Sequence, residues 1–387
     1  MIVVDWVASF TFIFILKIYV QTIRCMVARL DIVTRASGWQ KVRRSYPNAG
    51  PRTIMGRITM DSQIAKDGGG KALADQKDLD AFVTQVTRPG DFDDFWERVL
   101  AGLAEVPLEP LIAPEAMRSN ADVDVSRVYY RSLDGIEISG WYCVPTQGEG
   151  PFPAVIRFPG YKGEPGMRRD WGRKEVVSLT VAVRGKLGSN ADFNPGYPGL
   201  LTHGIEGRDT YGYKGVISDC VRGIDFLLSR PEVDPQRIFA CGSSQGGGLT
   251  LITSALRPEI KGGVAGYPFL CCYPESMQML RSYPYDELTC YARANPDRVE
   301  EMLETLRYYD AVNFAPGIKC PMVVGIALED EVCPPGTSYA AYQALTGPKE
   351  LWLFPDSGHG NAHEYPAKET AWLEQQISKS QTGGSND

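Results

Sequence analysis

The chain has 387 residues, of which 43% are hydrophobic, 10% aromatic and 22% charged. These fractions are typical of a folded globular protein and exclude disordered, collagen-like and coiled-coil chains. Forty basic residues against 47 acidic ones leave a formal net charge of −7. Because binding to a phosphate backbone depends on clustered Lys and Arg, this charge argues against a nucleic-acid partner.

The first 60 residues differ in character from the rest of the chain. Residues 6–16 carry no charge but are bounded by Asp5 and Lys17, so the run is shorter than the roughly 20 apolar residues of a spanning helix. It also lacks the basic start and small-residue cleavage site of a signal peptide. We expect residues 1–60 to be an atypical extension upstream of the native start, with a membrane anchor in residues 1–20 as the alternative.

The remaining chain, residues 61–387, alternates between helical and strand-like patterns. Its first predicted helix follows Asp91 and has one apolar face, formed by Phe92, Phe95, Trp96, Val99, Leu100 and Leu103. Strands are predicted at 128–131, 136–144, 154–158, 176–183, 237–241, 264–269, 322–327 and 350–354. Helices are predicted at 216–229, 245–256, 338–345 and 368–377. This alternation predicts a doubly wound α/β fold with a mostly parallel sheet and an antiparallel start.

A long segment, residues 270–319, separates the sixth predicted strand from the seventh. It contains two helical patterns and many tyrosines. The carboxyl end of a parallel strand is where ligands bind in open α/β sheets. We therefore expect a helical insertion after the sixth strand that covers an active site.

The sequence Gly242-Ser243-Ser244-Gln245-Gly246 matches the G-x-S-x-G pattern. It lies between a predicted strand and an apolar predicted helix, which is the setting of a nucleophile elbow. The flanking glycines give the room that such a sharp turn requires. Ser244 is therefore the candidate nucleophile.

A serine hydroxyl needs a histidine base that is oriented by a carboxylate. The chain has three histidines. His203 precedes Ser244, whereas the order in these hydrolases is serine, acid, histidine. We expect His359, in the loop after the last predicted strand, to be the base. His363 is expected to be solvated and His203 to make a structural loop contact.

The acid is expected in the loop after the strand at 322–327. Glu329, Asp330 and Glu331 compete for this role, and spacing alone does not rank them. Nine cysteines, odd in number and without C-x-x-C spacing, favour reduced thiols over a zinc site or a catalytic cysteine.

The oxyanion hole requires two backbone donors, each worth on the order of 3 kcal/mol in the transition state. One is the N–H of Gln245, which directly follows the nucleophile. The other is expected in the loop after the strand at 154–158, and we assign it to the N–H of Tyr161.

From about residue 79 to residue 377 the chain resembles the acetyl xylan esterase and cephalosporin-C deacetylase family, carbohydrate esterase family 7. The segments that look like those of the family are Gly160-Tyr161, Arg184-Gly185, Tyr197-Pro198-Gly199, Gly204-Ile205, Gly242-Ser243-Ser244-Gln245-Gly246-Gly247-Gly248, Pro268-Phe269-Leu270, Tyr283-Pro284-Tyr285, Tyr309-Asp310, Asn313-Phe314-Ala315 and Cys333-Pro334-Pro335. The family's acid stands three residues before the Cys-Pro-Pro, so the resemblance selects Asp330 and likewise supports His359.

The resemblance implies an α/β-hydrolase fold and a serine esterase that removes O-acetyl groups from xylooligosaccharides or from small esters such as cephalosporin C. It also implies no cofactor and a homo-oligomer in the form of a hexameric ring. Apart from the resemblance, the reduced thiols and the lack of zinc-like spacing lead us to expect a cytoplasmic enzyme without a metal. Two positions depart from the family: Lys186 stands where the family has Gln, and Gly360 where it has Glu. A peptidase or thioesterase, or a catalytically silent binding protein, is the alternative.

Overall fold

The computed structural model describes residues 76–186, 188–279 and 281–382. The expectations for residues 1–60, including the anchor, lie outside the described residues. Within these three ranges, the helices are too short or too polar to cross a bilayer.

A nine-stranded sheet with the order β1-β2-β3-β5-β4-β6-β7-β8-β9 organises the described residues. Its strands are β1 (Leu111–Pro114), β2 (Val123–Arg131), β3 (Glu137–Pro145), β4 (Phe152–Phe158), β5 (Val177–Ala182), β6 (Val233–Ser243), β7 (Ile260–Gly266), β8 (Met322–Ala327) and β9 (Lys349–Phe354). The pairs along β1-β2-β3-β5 are antiparallel, and those along β5-β4-β6-β7-β8-β9 are parallel. The predicted mostly parallel sheet with an antiparallel start is confirmed.

Helices connect and flank the strands. They are α1 (Gln76–Asp80), α2 (Phe92–Ala104), α3 (Gly212–Leu228), α4 (Gln245–Leu256), α5 (Tyr273–Met279), α6 (Tyr285–Ala294), α7 (Val299–Leu306), α8 (Ala311–Phe314), α9 (Pro335–Ala344) and α10 (Tyr365–Thr382). Short 3-10 helices occupy Leu133–Gly135, Arg169–Lys174, Leu200–Thr202, Pro296–Arg298 and Ala315–Gly317.

Successive residues of the central strands pack into two different cores because side chains alternate between the faces of a sheet. Ile156 and Ile238 belong to one core, together with residues of α3 and α4. Val155 and Phe239 belong to the other, together with Trp372 of α10. The sheet is thus covered on both faces, and its carboxyl edge is left for the loops that follow β4, β6, β7, β8 and β9.

The structure corrects several predicted boundaries. The edge strand β1 was not predicted, because Leu111–Pro114 has no alternating burial and is paired on one side only. The insertion therefore follows the seventh strand rather than the sixth. That strand is Ile260–Gly266, earlier than the predicted 264–269. The described part of the insertion holds four α-helices, α5 to α8, instead of two helical patterns.

Helix α2 attaches the N-terminal part of the described chain to the insertion through an aromatic cluster. Trp96 is 2% exposed, and its ring centroid lies 5.6 Å from that of Tyr309 and 5.3 Å from that of Phe314. The indole N–H donates to the carbonyl oxygen of Tyr308 at 2.9 Å. The predicted apolar face of this helix is thus a packing face.

Trp96→Ala should lower the free energy of unfolding by about 3–5 kcal/mol, because it leaves a cavity in a packed cluster and an unpaired carbonyl. The matched control is Glu97→Ala, since Glu97 is exposed on the same helix and surface changes are usually within about 0.5 kcal/mol. Urea unfolding measures both. Equal midpoints for the two variants would contradict this account of the cluster.

Candidate active site

Ser244 lies in the sharp turn between β6 and α4. Its backbone is at φ 59° and ψ −124°, a conformation that costs a non-glycine residue about 1–3 kcal/mol. Two hydrogen bonds join the turn to the end of β7 and the residues after it: the Ser244 N–H donates to Gly266 O at 2.9 Å, and the Phe269 N–H donates to Ser244 O at 3.0 Å. The turn therefore places Ser244, half-buried, at the carboxyl edge of the sheet.

Glycines allow this turn to approach its neighbours. A Cβ on Gly242 would lie 2.5 Å from the backbone of Gly246. A Cβ on Gly246 would lie 2.3 Å from the carbonyl oxygen of Phe158, at the end of β4. A larger residue at either position would push the turn away from β4, because such contacts are shorter than van der Waals packing allows.

Asp330 and His359 meet between the loops that follow β8 and β9. The His359 Nδ1 and the Asp330 Oδ2 are 2.8 Å apart. An ionised carboxylate only accepts hydrogen bonds, so Nδ1 carries the proton and Nε2 is left as the basic nitrogen. The other oxygen, Asp330 Oδ1, accepts the N–H groups of Val332 and Cys333, each at 2.8 Å. This pattern fixes the carboxylate for orienting a histidine.

Burial distinguishes Asp330 from the acids on either side of it. Asp330 is 6% exposed, whereas Glu329 and Glu331 are exposed. The Glu329 backbone N–H donates to Ser357 O at 3.0 Å, which joins the acid loop to the histidine loop. Spacing alone did not rank the three candidate acids, but burial does, because only the carboxylate of Asp330 is turned inward.

The Cys333 thiol connects Ser244 with the acid and the histidine. Its Sγ, an Asp330 carboxylate oxygen and a His359 ring nitrogen all lie within 4.8 Å of one another. Burial and the nearby Asp330 raise the pKa of Cys333 well above its usual value, while a hydrogen bond with Ser244 acts in the opposite direction. The structure therefore gathers the three candidate residues around one neutral thiol. These donor atoms could also ligate a metal ion, but the Asp330–His359 hydrogen bond already uses two of them.

The two proposed oxyanion donors lie just after two neighbouring strands, β4 and β6. In the pairing of β4 with β6, Phe158 is opposite Gly242, so the Tyr161 loop begins beside the Ser244 turn. Gln245 is the first residue of α4, where backbone N–H groups have no intrahelical acceptor. Its buried side chain accepts from the Tyr213 hydroxyl at 2.7 Å and donates to Pro159 O at 3.3 Å. Gln245 thus also ties the two loops together.

The ring of Tyr161 anchors its loop to the insertion. Its hydroxyl donates to Glu287 Oε1 at 2.9 Å and accepts from the Leu201 N–H at 3.0 Å. Burial and the carboxylate raise the pKa of Tyr161. The second oxygen of Glu287 accepts the Gly199 N–H at 2.9 Å. Sequence reasoning missed Glu287, because an acid on an amphipathic helix usually faces water.

The other two histidines lie away from this cluster. The His203 ring packs against Phe193 with centroids 5.0 Å apart, and His363 is exposed. Gly360, next to His359, has φ +68° and no atom within 4 Å of the position of a Cβ. This backbone conformation favours glycine, which explains why the chain has no larger residue there.

The chain also matches a known protein family. A model of the acetyl xylan esterase family matches residues 73–376, and the chain belongs to this family. It is therefore a carboxylic ester hydrolase with the α/β-hydrolase fold.

Individual relatives agree with this membership. The chain is 29% identical to acetyl esterase Axe7A of Xylanibacter ruminicola over 305 residues, 75% of this chain and 67% of that protein. Among solved structures, the acetyl xylan esterase from Paenibacillus sp. R4 has a TM-score of 0.73 at 33% identity, covering 78% of this chain and 99% of that one. Acetyl xylan esterase 1 from Thermoanaerobacterium sp. JW/SL YS485 has a TM-score of 0.71 at 27% identity, covering 78% and 98%.

Asp330→Asn should lower kcat for ester hydrolysis by about 10³–10⁴-fold, because an amide at this position favours the wrong tautomer of His359. Glu329→Gln and Glu331→Gln are the matched controls, and they should change kcat by no more than about twofold, as exposed substitutions usually do. Steady-state kinetics on p-nitrophenyl acetate measures all three. A greater loss of kcat in Glu329→Gln or Glu331→Gln than in Asp330→Asn would show that Asp330 is not the acid.

Proposed function

We propose that this chain removes O-acetyl groups from acetylated xylooligosaccharides, or from similar small acetyl esters such as cephalosporin C, with Ser244, His359 and Asp330 as a catalytic triad. The observation that carries the proposal is the hydrogen bond between His359 and the buried Asp330, beside the strained turn that presents Ser244. The names of the relatives support an acetyl ester as substrate.

The first half of the reaction forms an acyl-enzyme. His359 Nε2 takes the hydroxyl proton of Ser244 as Oγ attacks the ester carbonyl. The carbonyl oxygen becomes an oxyanion, which accepts hydrogen bonds from the N–H groups of Tyr161 and Gln245. Asp330 stabilises the imidazolium. The bond between the acyl carbon and the sugar oxygen then breaks as His359 gives its proton to that oxygen, which releases the sugar hydroxyl and leaves acetyl-Ser244.

The second half returns the enzyme to its starting state. A water molecule gives a proton to His359 and attacks the acetyl carbonyl. The same two N–H groups stabilise the second oxyanion. The bond between the acyl carbon and Ser244 Oγ then breaks as His359 protonates Oγ, and acetic acid leaves and ionises to acetate. His359 Nε2 thus carries one proton from Ser244 to the sugar and a second from water back to Ser244. The proposed cycle uses no cofactor.

The surroundings of the Tyr161 loop support a small acyl group. The ring of Tyr161 lies 5.0 Å from that of Tyr197 and 5.6 Å from that of Tyr283, between centroids. Glu287, in helix α6 of the insertion, holds the Tyr161 hydroxyl. We expect these aromatic rings, beside the proposed oxyanion donor, to restrict the acyl group to a small one.

We further propose a catalytic domain at residues 61–387, with residues 1–60 as an extension, in a cytoplasmic homo-oligomer. The eight cysteines among the described residues are all free thiols, which suits a reducing compartment. The hexameric ring is supported by resemblance to the family. Light scattering coupled to size-exclusion chromatography tests the oligomer.

Ser244→Ala should lower kcat on p-nitrophenyl acetate by about 10⁶-fold, because it removes the attacking atom. Ser243→Ala is the matched control and should keep most of the activity. A fluorophosphonate probe should label the wild-type chain and Ser243→Ala but not Ser244→Ala.

The same assay on butyrate and octanoate esters tests the acyl pocket. We expect activity to fall steeply beyond acetate. Equal rates on octanoate would contradict the small pocket, and a folded wild-type chain that neither reacts with the probe nor hydrolyses acetate would contradict the proposed function itself.

A further inference from the structure

Lys186, one of the two positions that depart from the family, is a buried lysine in the turn after β5. Its exposure is 0%, and a buried ammonium is costly unless its donors are paired. Its Nζ donates to the carbonyl oxygen of Gly160 at 2.8 Å and also to that of Tyr161. The ammonium is therefore attached to the loop that carries a proposed oxyanion donor.

The Gly160 carbonyl and the Tyr161 N–H belong to the same peptide unit. This bond is not among the cis peptides of the described residues, and in a planar trans peptide the C=O and N–H point in opposite directions. Fixing the oxygen therefore fixes the direction of the N–H. The Gln245 Nε2 lies 3.5 Å from the same oxygen, so Lys186 makes the closer contact.

The charge of Lys186 adds to this geometric effect. A hydrogen bond from an ammonium to a carbonyl is stronger than one between neutral groups. Hydrogen bonds in series also polarise one another, so a cation on the C=O makes the N–H of the same peptide a better donor. This gain is realised when negative charge develops on the substrate oxygen.

The surroundings of Lys186 hold it in place and set its charge. Its backbone N–H donates to Val183 O at 3.0 Å, and its Nζ lies 4.8 Å from the ring centroid of Tyr197. Burial lowers the pKa of Lys186 to about 8, and Glu164, the charged group that faces it from the Tyr161 loop, acts in the opposite direction. The ammonium is thus charged below about pH 8 and neutral above it.

We propose that Lys186 is a positioning residue that directs and polarises the Tyr161 N–H toward the oxyanion. This inference rests on the proposed function, in which that N–H is an oxyanion donor. Lys186 would act through the two carbonyl oxygens that it contacts. A glutamine at this position supplies amide donors to the same carbonyls without the charge.

The first test compares Lys186→Met with Lys186→Gln in the full chain, using p-nitrophenyl acetate with spontaneous hydrolysis subtracted. Lys186→Met should lower kcat by about 100-fold, the effect of losing one oxyanion donor, with KM changed by less than about twofold. Lys186→Gln should recover most of that loss. The matched control is Lys261→Met, since the Lys261 Nζ also contacts a carbonyl oxygen, that of Pro258, at 3.4 Å. Lys261 lies near the amino end of β7, away from the carboxyl ends of the strands.

The second test is the pH profile of kcat. In the wild-type chain kcat should fall as the pH rises through about 8, because the folded-state pKa of Lys186 lies there and deprotonation removes the charge. Lys186→Gln should lose this fall, since its amide does not titrate. If Lys186 acted only by packing, Lys186→Gln and the wild-type chain would have the same pH profile of kcat.

The outcomes separate the two proposals. An unchanged kcat in Lys186→Met, or an unchanged alkaline fall in Lys186→Gln, would overturn the role of Lys186. If thermal unfolding shows that Lys186→Met does not fold, the pH profile of Lys186→Gln decides alone. A wild-type chain that fluorophosphonate labels at Ser244 keeps the proposed function in place whatever the Lys186 variants do, and a chain that it does not label refutes that function first.

Discussion

The close approach of the Ser244 turn to the end of β4 is the constraint on which the geometry of the site depends. With only a hydrogen at Gly246, the start of α4 can lie against the carbonyl oxygen of Phe158. The same approach brings the side chain of Gln245 within reach of Pro159 O. The Ser244 turn and the loop of the proposed second oxyanion donor are therefore held together by these two contacts at the ends of neighbouring parallel strands. The left-handed backbone of Ser244 is maintained because buried strands on both sides over-determine the turn.

The insertion is connected to the same loop through Glu287. Its carboxylate accepts hydrogen bonds from the Tyr161 hydroxyl and the Gly199 N–H. A buried carboxylate is tolerated when its oxygens are paired in this way, and removal of one partner is costly. Glu287 therefore joins the insertion to the loop that carries a proposed oxyanion donor.

Much of the fold could be predicted because the central strands are short apolar runs with distinct boundaries. Strand β8, predicted at 322–327, is buried along its whole length and was found with the same bounds. The edge strand β1 could not be found, because Leu111–Pro114 shows no alternation that a sequence pattern would reveal. The nucleophile turn could be predicted since its glycines are local in sequence. Asp330 could not be separated from Glu329 by spacing, because burial is set by tertiary packing.

The Cys333 thiol beside Ser244 raises the question of why the weaker nucleophile would react. A cysteine attacks as a thiolate, and burial together with the Asp330 carboxylate raises the pKa of Cys333. The thiol thus resists ionisation, whereas in the proposed mechanism the hydroxyl proton of Ser244 passes to His359. Asp330 has opposite effects on its two neighbours: it stabilises a positive charge on His359 and opposes a negative charge on Cys333. In the proposed mechanism, one buried carboxylate therefore favours attack by the Ser244 hydroxyl and disfavours attack by the Cys333 thiol.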